Sequence, residues 1–285
     1  RPQFLAIVSH HALAQVLAHK ATGVVNGFVV EGPSAGGHNA PARGKAVDER
    51  GEPIYGERDK PDLEKMRDLG RPFWLAGGYA SAEKLAEAKR EGAAGIQVGS
   101  IFALCDESGL RNDIKRELRR HQFEGDLQVL ASAIASPSGF PFQVVQMEGS
   151  LSDPKVFAKR KRDCSVGYLV EAYKTKRGGI GFRCPAEPVG AYVRKGGAIE
   201  DTEQRVCLCN GLAAAATDGQ RIEKPNEPFI ATLGQTGGFI RDLMADADGS
   251  YTAEDVVNLI FSGQPKKSQP CANPRRQSTV AQFGR

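Results

Sequence analysis

The sequence predicts an α/β protein built on a parallel sheet, and three observations predict it. Four short apolar runs, Phe4 to Val8, Gly27 to Val30, Pro72 to Ala76 and Ala94 to Val98, fall within the first hundred residues. Each is too short for a helix and largely apolar on both faces, the pattern of a strand buried between two layers. Helix-periodic segments alternate with them, and strand–helix alternation is how parallel sheets are connected.

The elements follow in order. FLAIV opens the sheet, and HHALAQVLAHK (His10 to Lys20) is a helix that offers Leu13, Val16 and Leu17 to the core. GFVV is the second strand. DLEKMRDLG (Asp62 to Gly70) is a helix stopped by glycine, and PFWLA is the third strand. SAEKLAEAKREG (Ser81 to Gly92) starts on a serine N-cap and stops on another glycine, before AGIQV. The connection from His38 to Asp59 is long and rich in Gly, Pro and charge, and such loops are functional or disordered. After Phe102 the alternation ends. Leu110 to Phe123 reads as a basic helix, Ser136 to Gly149 as a turn and a strand-like run, and Ser150 to Thr217 as irregular up to a small-residue helix. A last helix runs from Thr252 to Phe261, capped by Thr252 or Ser250, and 264–285 reads as a disordered tail. The division expected is 1–110, 111–263 and 264–285.

Composition narrows the function classes. The 285 residues are 40% hydrophobic and 25% charged, ordinary for a soluble globular chain. The net charge of +4 is small and locally clustered, so a nucleic-acid partner is not expected, and Lys159 to Arg162 (KRKR) reads as a solvated face. No apolar run approaches the roughly 18 residues of a membrane span, and no signal-peptide pattern is visible. Six scattered cysteines fit a reducing compartment, so a cytoplasmic location is expected. The chain opens on Arg1 with strand residues close behind, which reads as a fragment or processed chain.

Three glycine turns each follow an expected strand: Gly36-Gly37 in GPSAGGH, Gly77-Gly78 in AGGYAS, and Gly99-Ser100 in VGS. Ligands of parallel sheets sit at the carboxyl ends of strands. Glycine there lets backbone N–H groups approach a phosphate, and a following helix adds a favourable dipole. Two consecutive strand ends aimed at one anion match the phosphate site after the last two strands of a (β/α)8 barrel. Any one of these turns can instead be glycine for steric reasons alone. His38 has two readings as well, an imidazole that hydrogen-bonds its own loop or a base that titrates near neutrality at a strand end.

EGPSAGGHNAP, PFWLAGGYAS and GAAGIQVGSIFALC, in that order and strand context, resemble the nitronate monooxygenase family, formerly called 2-nitropropane dioxygenases. The resemblance covers Phe4 to about Leu110, and SPSGFPFQVV, GFRCPAEP and CLCNGL resemble the C-terminal part of a longer subgroup. It implies a TIM barrel, of which these four units would be strands five to eight, with FMN as cofactor. Gly36 and Gly37 would line the isoalloxazine or ribityl side, and Gly77 and Gly78 the phosphate. Gln97, Val98, Gly99 and Ser100 would complete the phosphate cradle. Glu31 stands where the family pattern has Gln, a carboxylate in place of an amide that would hydrogen-bond the flavin. His38 matches the active-site histidine. The reaction implied is oxidation of an alkyl nitronate, or a nitroalkane after deprotonation, with O2 to a carbonyl compound and nitrite. Two other readings stay open: an FMN-dependent NAD(P)H reductase of quinone or enoyl-acyl carrier protein, and an inactive flavin-binding fragment. Half a barrel would leave two raw sheet edges, inviting self-pairing into a homo-oligomer and weak FMN binding.

The remaining histidines, His10, His11, His19 and His121, read as solvated or capping, with Ser9 and His10-His11 near enough to a strand end to approach a flavin. Cys164, Cys184, Cys207 and Cys209 read as structural thiols. C-x-C is tighter than the usual C-x2-C knuckle and the other two are distant, so no metal ligand is assigned.

Overall fold

The computed structural model describes residues 2–216 and 228–264. Its largest sheet has four strands, all parallel, in the order β1 (Leu5–Val8), β2 (Gly27–Glu31), β3 (Phe73–Ala76) and β4 (Gly95–Gln97). The chain returns between them through α1 (His11–Lys20), α2 (Leu63–Asp68) and α3 (Ala82–Arg90). The register sets Glu31 opposite Ala76 and Ala76 opposite Gln97, so the carboxyl ends of β2, β3 and β4 lie in one row.

Strand side chains alternate between the two faces. Ala6, Val8, Phe28, Val30, Phe73 and Leu75 point to the helices and pack with Ala14, Met66 and Ala88 in one core cluster. The helix ends obey local chemistry. Asp62 and Ser81 each cap a helix by accepting backbone N–H bonds, and Gly70 and Gly92 stop the helices with positive φ. The α/β class with a parallel sheet is thus borne out.

Two details differ from expectation. β1 is not buried on both faces: Leu5 is 38% and Ile7 57% exposed, because β1 is an edge strand with helices on one side only. In α1 the buried residue is Ala14, at 0% exposure, whereas Leu13 and Val16 are exposed. A methyl lets the helix lie close on the sheet, with Leu17 and Ala18 beside it, and the larger side chains turn outward.

Beyond β4 the chain runs through α4 (Ser100–Ala103) and α5 (Asn112–Glu124), then an antiparallel pair, β5 (Val129–Ser132) and β6 (Phe142–Val145). A second core joins Ile101, Leu104, Ile114, Leu118, Val145, Leu233, Tyr251, Val256 and Leu259. It draws on residues from both sides of Leu110. Buried α5 cations tie the connection: Lys115 Nζ donates to the carbonyls of Cys105, Asp106 and Ser108, and Arg119 Nε to that of Leu104 at 2.6 Å. The final helix, α10 (Ala253–Ser262), is capped by Thr252 in a reciprocal box with Asp255; α9 (Ile240–Leu243) precedes it.

The stretch from Ser150 is more ordered than its sequence suggests. It holds α6 (Pro154–Lys159), a hairpin of β7 (Glu171–Lys174) and β8 (Ile180–Arg183), α7 (Val189–Arg194) and α8 (Leu208–Ala214). Each is too short to carry a readable period. The KRKR run is also not simply solvated: Arg160 donates to the carbonyls of Phe157 and Arg205, and Arg162 to those of Pro185 and Thr202. Thr217 and the expected disordered tail, apart from Gln264, lie outside the described residues. Among the described residues no helix is long and apolar enough to cross a membrane.

Candidate active site

The row Glu31, Ala76, Gln97 opens into the three glycine turns, and they converge. Glu31, Gly36, Gly37, Gly77, Gly78, Gln97, Val98, Gly99 and Ser100 all line one cavity of about 320 Å³. His38 lies in a neighbouring cavity of about 460 Å³, with Ser9, His10, Tyr55 and Phe140. Glu31 lines both.

The glycines are there for different reasons. Gly77 and Gly78 have φ of +88° and +85°, which the turn after β3 imposes. A Cβ on Gly36 would come within 2.9 Å of the Leu233 backbone, so a close chain crossing requires that glycine. Gly99 differs from both. Its φ is −120°, open to any residue, and a Cβ there would meet nothing within 4 Å. Neither backbone conformation nor a neighbour in the chain demands glycine at 99. What its absence of side chain does is present bare backbone to the cavity, as an approaching phosphate requires.

The second wall of this cavity was not legible in the sequence. Thr232, Leu233, Gly234 and Thr236 supply it from a segment more than a hundred residues downstream of β4. Gly37 N donates to Thr232 Oγ1 at 2.8 Å, Gly234 N to Ser100 Oγ at 2.7 Å, and Gln235 N to Ser34 O at 2.9 Å. ATLGQTGG carries glycine signals but no strand pattern before them, so only the fold shows where they lie.

The long 38–59 loop is held by Glu52, which is 6% exposed. Its Oε1 accepts from Ala131 N at 2.7 Å and from Gln235 Nε2 at 3.0 Å, and Oε2 pairs with Arg50. One carboxylate thus joins the loop, β5 and the downstream wall. Glu52→Ala is expected to cost about 1–3 kcal/mol, since it strands the buried Ala131 N–H and breaks the bond to Gln235. Urea unfolding followed by circular dichroism checks this; an unchanged midpoint would show that water replaces the carboxylate.

His38 is fixed by β6. Asn39 N donates to Pro141 O and Gln143 N to Gly37 O, each at 2.9 Å, and the His38 ring meets Phe142 edge-on at 4.9 Å. Nε2 lies 2.6 Å from Ser136 Oγ, which in turn lies 2.7 Å from Ser138 Oγ. Burial lowers the His38 pKa from its ordinary 6.5, so the ring is neutral near pH 7. Burial also raises the carboxyl of Glu31 above the usual range. Below the loop, buried Gln143 donates to Asn39 Oδ1 and Pro33 O, both at 2.9 Å, while its own Oε1 has no partner. Of the other histidines, His10 Nδ1 caps α1 and His11 Nδ1 accepts from Asp62 N. His121 is bracketed by Glu117 and Asp126.

No protein-family model matches the sequence, and no curated protein matches it. Among solved structures, similar chains include FabK from Thermotoga maritima, at 17% identity and a TM-score of 0.49 over 92% of this chain and 61% of that one. The enoyl reductase domain of MlnA, from the macrolactin biosynthesis cluster of Bacillus amyloliquefaciens, aligns at 14% identity, TM-score 0.47, over 91% and 66%. Nitroalkane oxidase from Streptomyces ansochromogenes aligns at 20% identity, TM-score 0.37, over 50% of this chain and 38% of that one. The chain spans about three fifths of the length of FabK. With TM-scores below 0.5, these likenesses carry no argument about the site, which rests on its own geometry.

Proposed function

We infer that the chain is the FMN-binding part of a nitronate monooxygenase-type flavin oxidoreductase acting on alkyl nitronates or nitroalkanes with O2. The observation that carries this reading is the convergence of three successive strand ends on one cavity, with bare backbone at Gly99, beside the cavity of His38. The donor set suits the cofactor: backbone N–H groups of Gly78, Gly99 and Ser100 would take the phosphate, and the hydroxyls of Thr232 and Thr236 would add polar contacts. FMN, when bound, would supply the redox step, accepting electrons from the nitronate before O2 takes part.

The chain's own work is to orient the substrate and handle one proton. With Nε2–H donating to Ser136 Oγ, the lone pair of His38 is on Nδ1, where it removes the α-proton of a neutral nitroalkane. In that tautomer Ser136 Oγ accepts from His38 and can pass its own proton to Ser138 Oγ, 2.7 Å away. Glu31→Gln restores the amide of the family pattern and is expected to tighten FMN binding about three- to tenfold, the worth of one added hydrogen bond. Flavin fluorescence titration measures it, and weaker binding by the variant would remove Glu31 from the cofactor's surroundings.

The reading is tested by saturating the protein with FMN, mixing it anaerobically with a preformed alkyl nitronate, and then admitting air. Flavin bleaching followed by nitrite equimolar with the carbonyl product is expected. Bleaching by NADH that outpaces bleaching by nitronate would overturn it in favour of a quinone or enoyl-acyl carrier protein reductase. A folded chain that takes up no FMN at millimolar concentration would overturn it in favour of an inactive fragment.

A further inference from the structure

The four cysteines between Ser150 and Thr217 are far apart in sequence and gathered in the fold. Cys184 and Cys207 are buried together with Ala186, and Cys209 packs against them. The sulfurs of Cys164, Cys184 and Cys209 lie within electrostatic reach of one another. Side chains already hold the three segments in place. Ser165 Oγ donates to Asn210 Oδ1 at 3.1 Å and Asn210 Nδ2 to Asp163 O at 3.0 Å, which ties the Cys164 loop to α8. Arg162 reaches across to the carbonyls of Pro185 and Thr202. No disulfide joins these cysteines.

Three further observations point to a cation. First, the Ala186 N–H is directed at the Cys184 sulfur and the Gly167 N–H at that of Cys164, the latter from a turn with φ +70°. Backbone N–H groups aimed at sulfur are contacts that orient a metal-bound cysteine. Second, buried Glu187 stands beside Cys164 and Cys184; its Oε2 pairs with Lys195 Nζ at 2.6 Å, but its Oε1 has no partner. Third, between Ser152 and Arg205 the buried apolar residues are only Cys184, Ala186 and Tyr192. So long a stretch with so small a core is usually stapled by disulfides or a metal.

We propose that Cys164, Cys184, Cys207 and Cys209 are the four ligands of a structural zinc ion. Four thiolates make a closed tetrahedral site with no open position for chemistry, and none of the four lines either active-site cavity. The tight C-x-C spacing that argues against a knuckle in the linear chain loses its force once the other two ligands arrive from separate segments. Binding sends four thiol protons to solvent and transfers no electrons. Among the described residues, the only His, Cys, Asp and Glu group with ligand atoms all within 4.8 Å of one another is His121, Glu124 and Asp126, where His121 and Asp126 are already paired. No three of the four sulfurs meet that spacing, so zinc draws the Cys164 loop and its partners inward.

The test uses the full chain, purified without chelator and dialysed into metal-free buffer. One zinc per chain is expected by elemental analysis, released by a mercurial reagent together with protection of the four thiols. Cobalt exchanged into the site is expected to show the visible bands and near-ultraviolet sulfur-to-metal charge transfer of tetrahedral thiolate coordination. Cys184→Ser and Cys209→Ser are expected to lose the ion, whereas Cys105→Ser, in the other core, keeps it. Should the variants fail to fold, the cobalt spectrum of the unaltered chain decides alone. Four freely reacting thiols with no bound zinc or cobalt would overturn the proposal. So would iron with acid-labile sulfide in place of zinc, or a Cys164–Cys209 disulfide found by mass spectrometry.

Discussion

His38→Asn is expected to lower turnover of a neutral nitroalkane by about 10²–10⁴-fold, the usual contribution of a positioned general base. Turnover of the preformed nitronate, which has no proton left to remove, is expected to fall less than tenfold. The split between the two substrates makes the experiment informative, because a merely structural histidine would depress both equally. Asparagine can keep a polar contact near Ser136 while offering no basic nitrogen. The pH profile follows from the direction of the pKa. Burial depresses it, so the base is present above a value lower than 6.5, and kcat/KM for the neutral substrate rises with pH to a plateau already reached at neutrality. Stability runs in the same direction. Between the depressed folded value and 6.5 the unfolded chain binds more protons, so stability grows as pH rises through that window and is lost as pH falls. Equal activity of wild type and His38→Asn toward nitroalkane would remove the base.

Gly99→Asp is expected to weaken FMN binding about a hundredfold. A carboxylate a few ångströms from a phosphate costs on the order of 3 kcal/mol at a partly screened site, which converts to that ratio. The control is inherent in the geometry: the new Cβ enters open space and φ is ordinary, so the melting temperature should hardly change. Riboflavin, which lacks the phosphate, should bind both proteins alike. Equal FMN dissociation constants for wild type and Gly99→Asp would show that the phosphate lies elsewhere.

What was legible depends on the range over which each residue acts. β2 and β3 were readable because interior parallel strands are apolar on both faces, and the glycine turns because a tight strand-to-helix connection leaves few alternatives. Ser81, Asp62 and Thr252 cap their helices as local chemistry dictates. The orientation of α1 was not readable, since a small residue on the sheet side competes with larger ones and only packing decides. Nor was the wall at Thr232 to Thr236, or Ser136 opposite His38. These are distant partners, and a single chain without its fold gives no signal for them. The same holds for the cysteines, whose meeting depends on the hairpin β7–β8 bringing Cys184 back to α8.

The contact between Gly37 and Thr232 bridges 195 positions. Closing so long a stretch costs chain entropy before any contact returns it, and such pairings form late in folding. The parallel sheet with α1 to α3 is local by comparison, so it should exist for a time with one side of its ligand cavity missing. Pulse-labelled hydrogen exchange during refolding is expected to protect the amides of β2 and β3 before that of Gly37. Cofactor added after refolding should then bind faster than cofactor present from the start, because binding must wait for the last wall. The ligand-binding step thereby becomes a clock for the assembly of the whole chain.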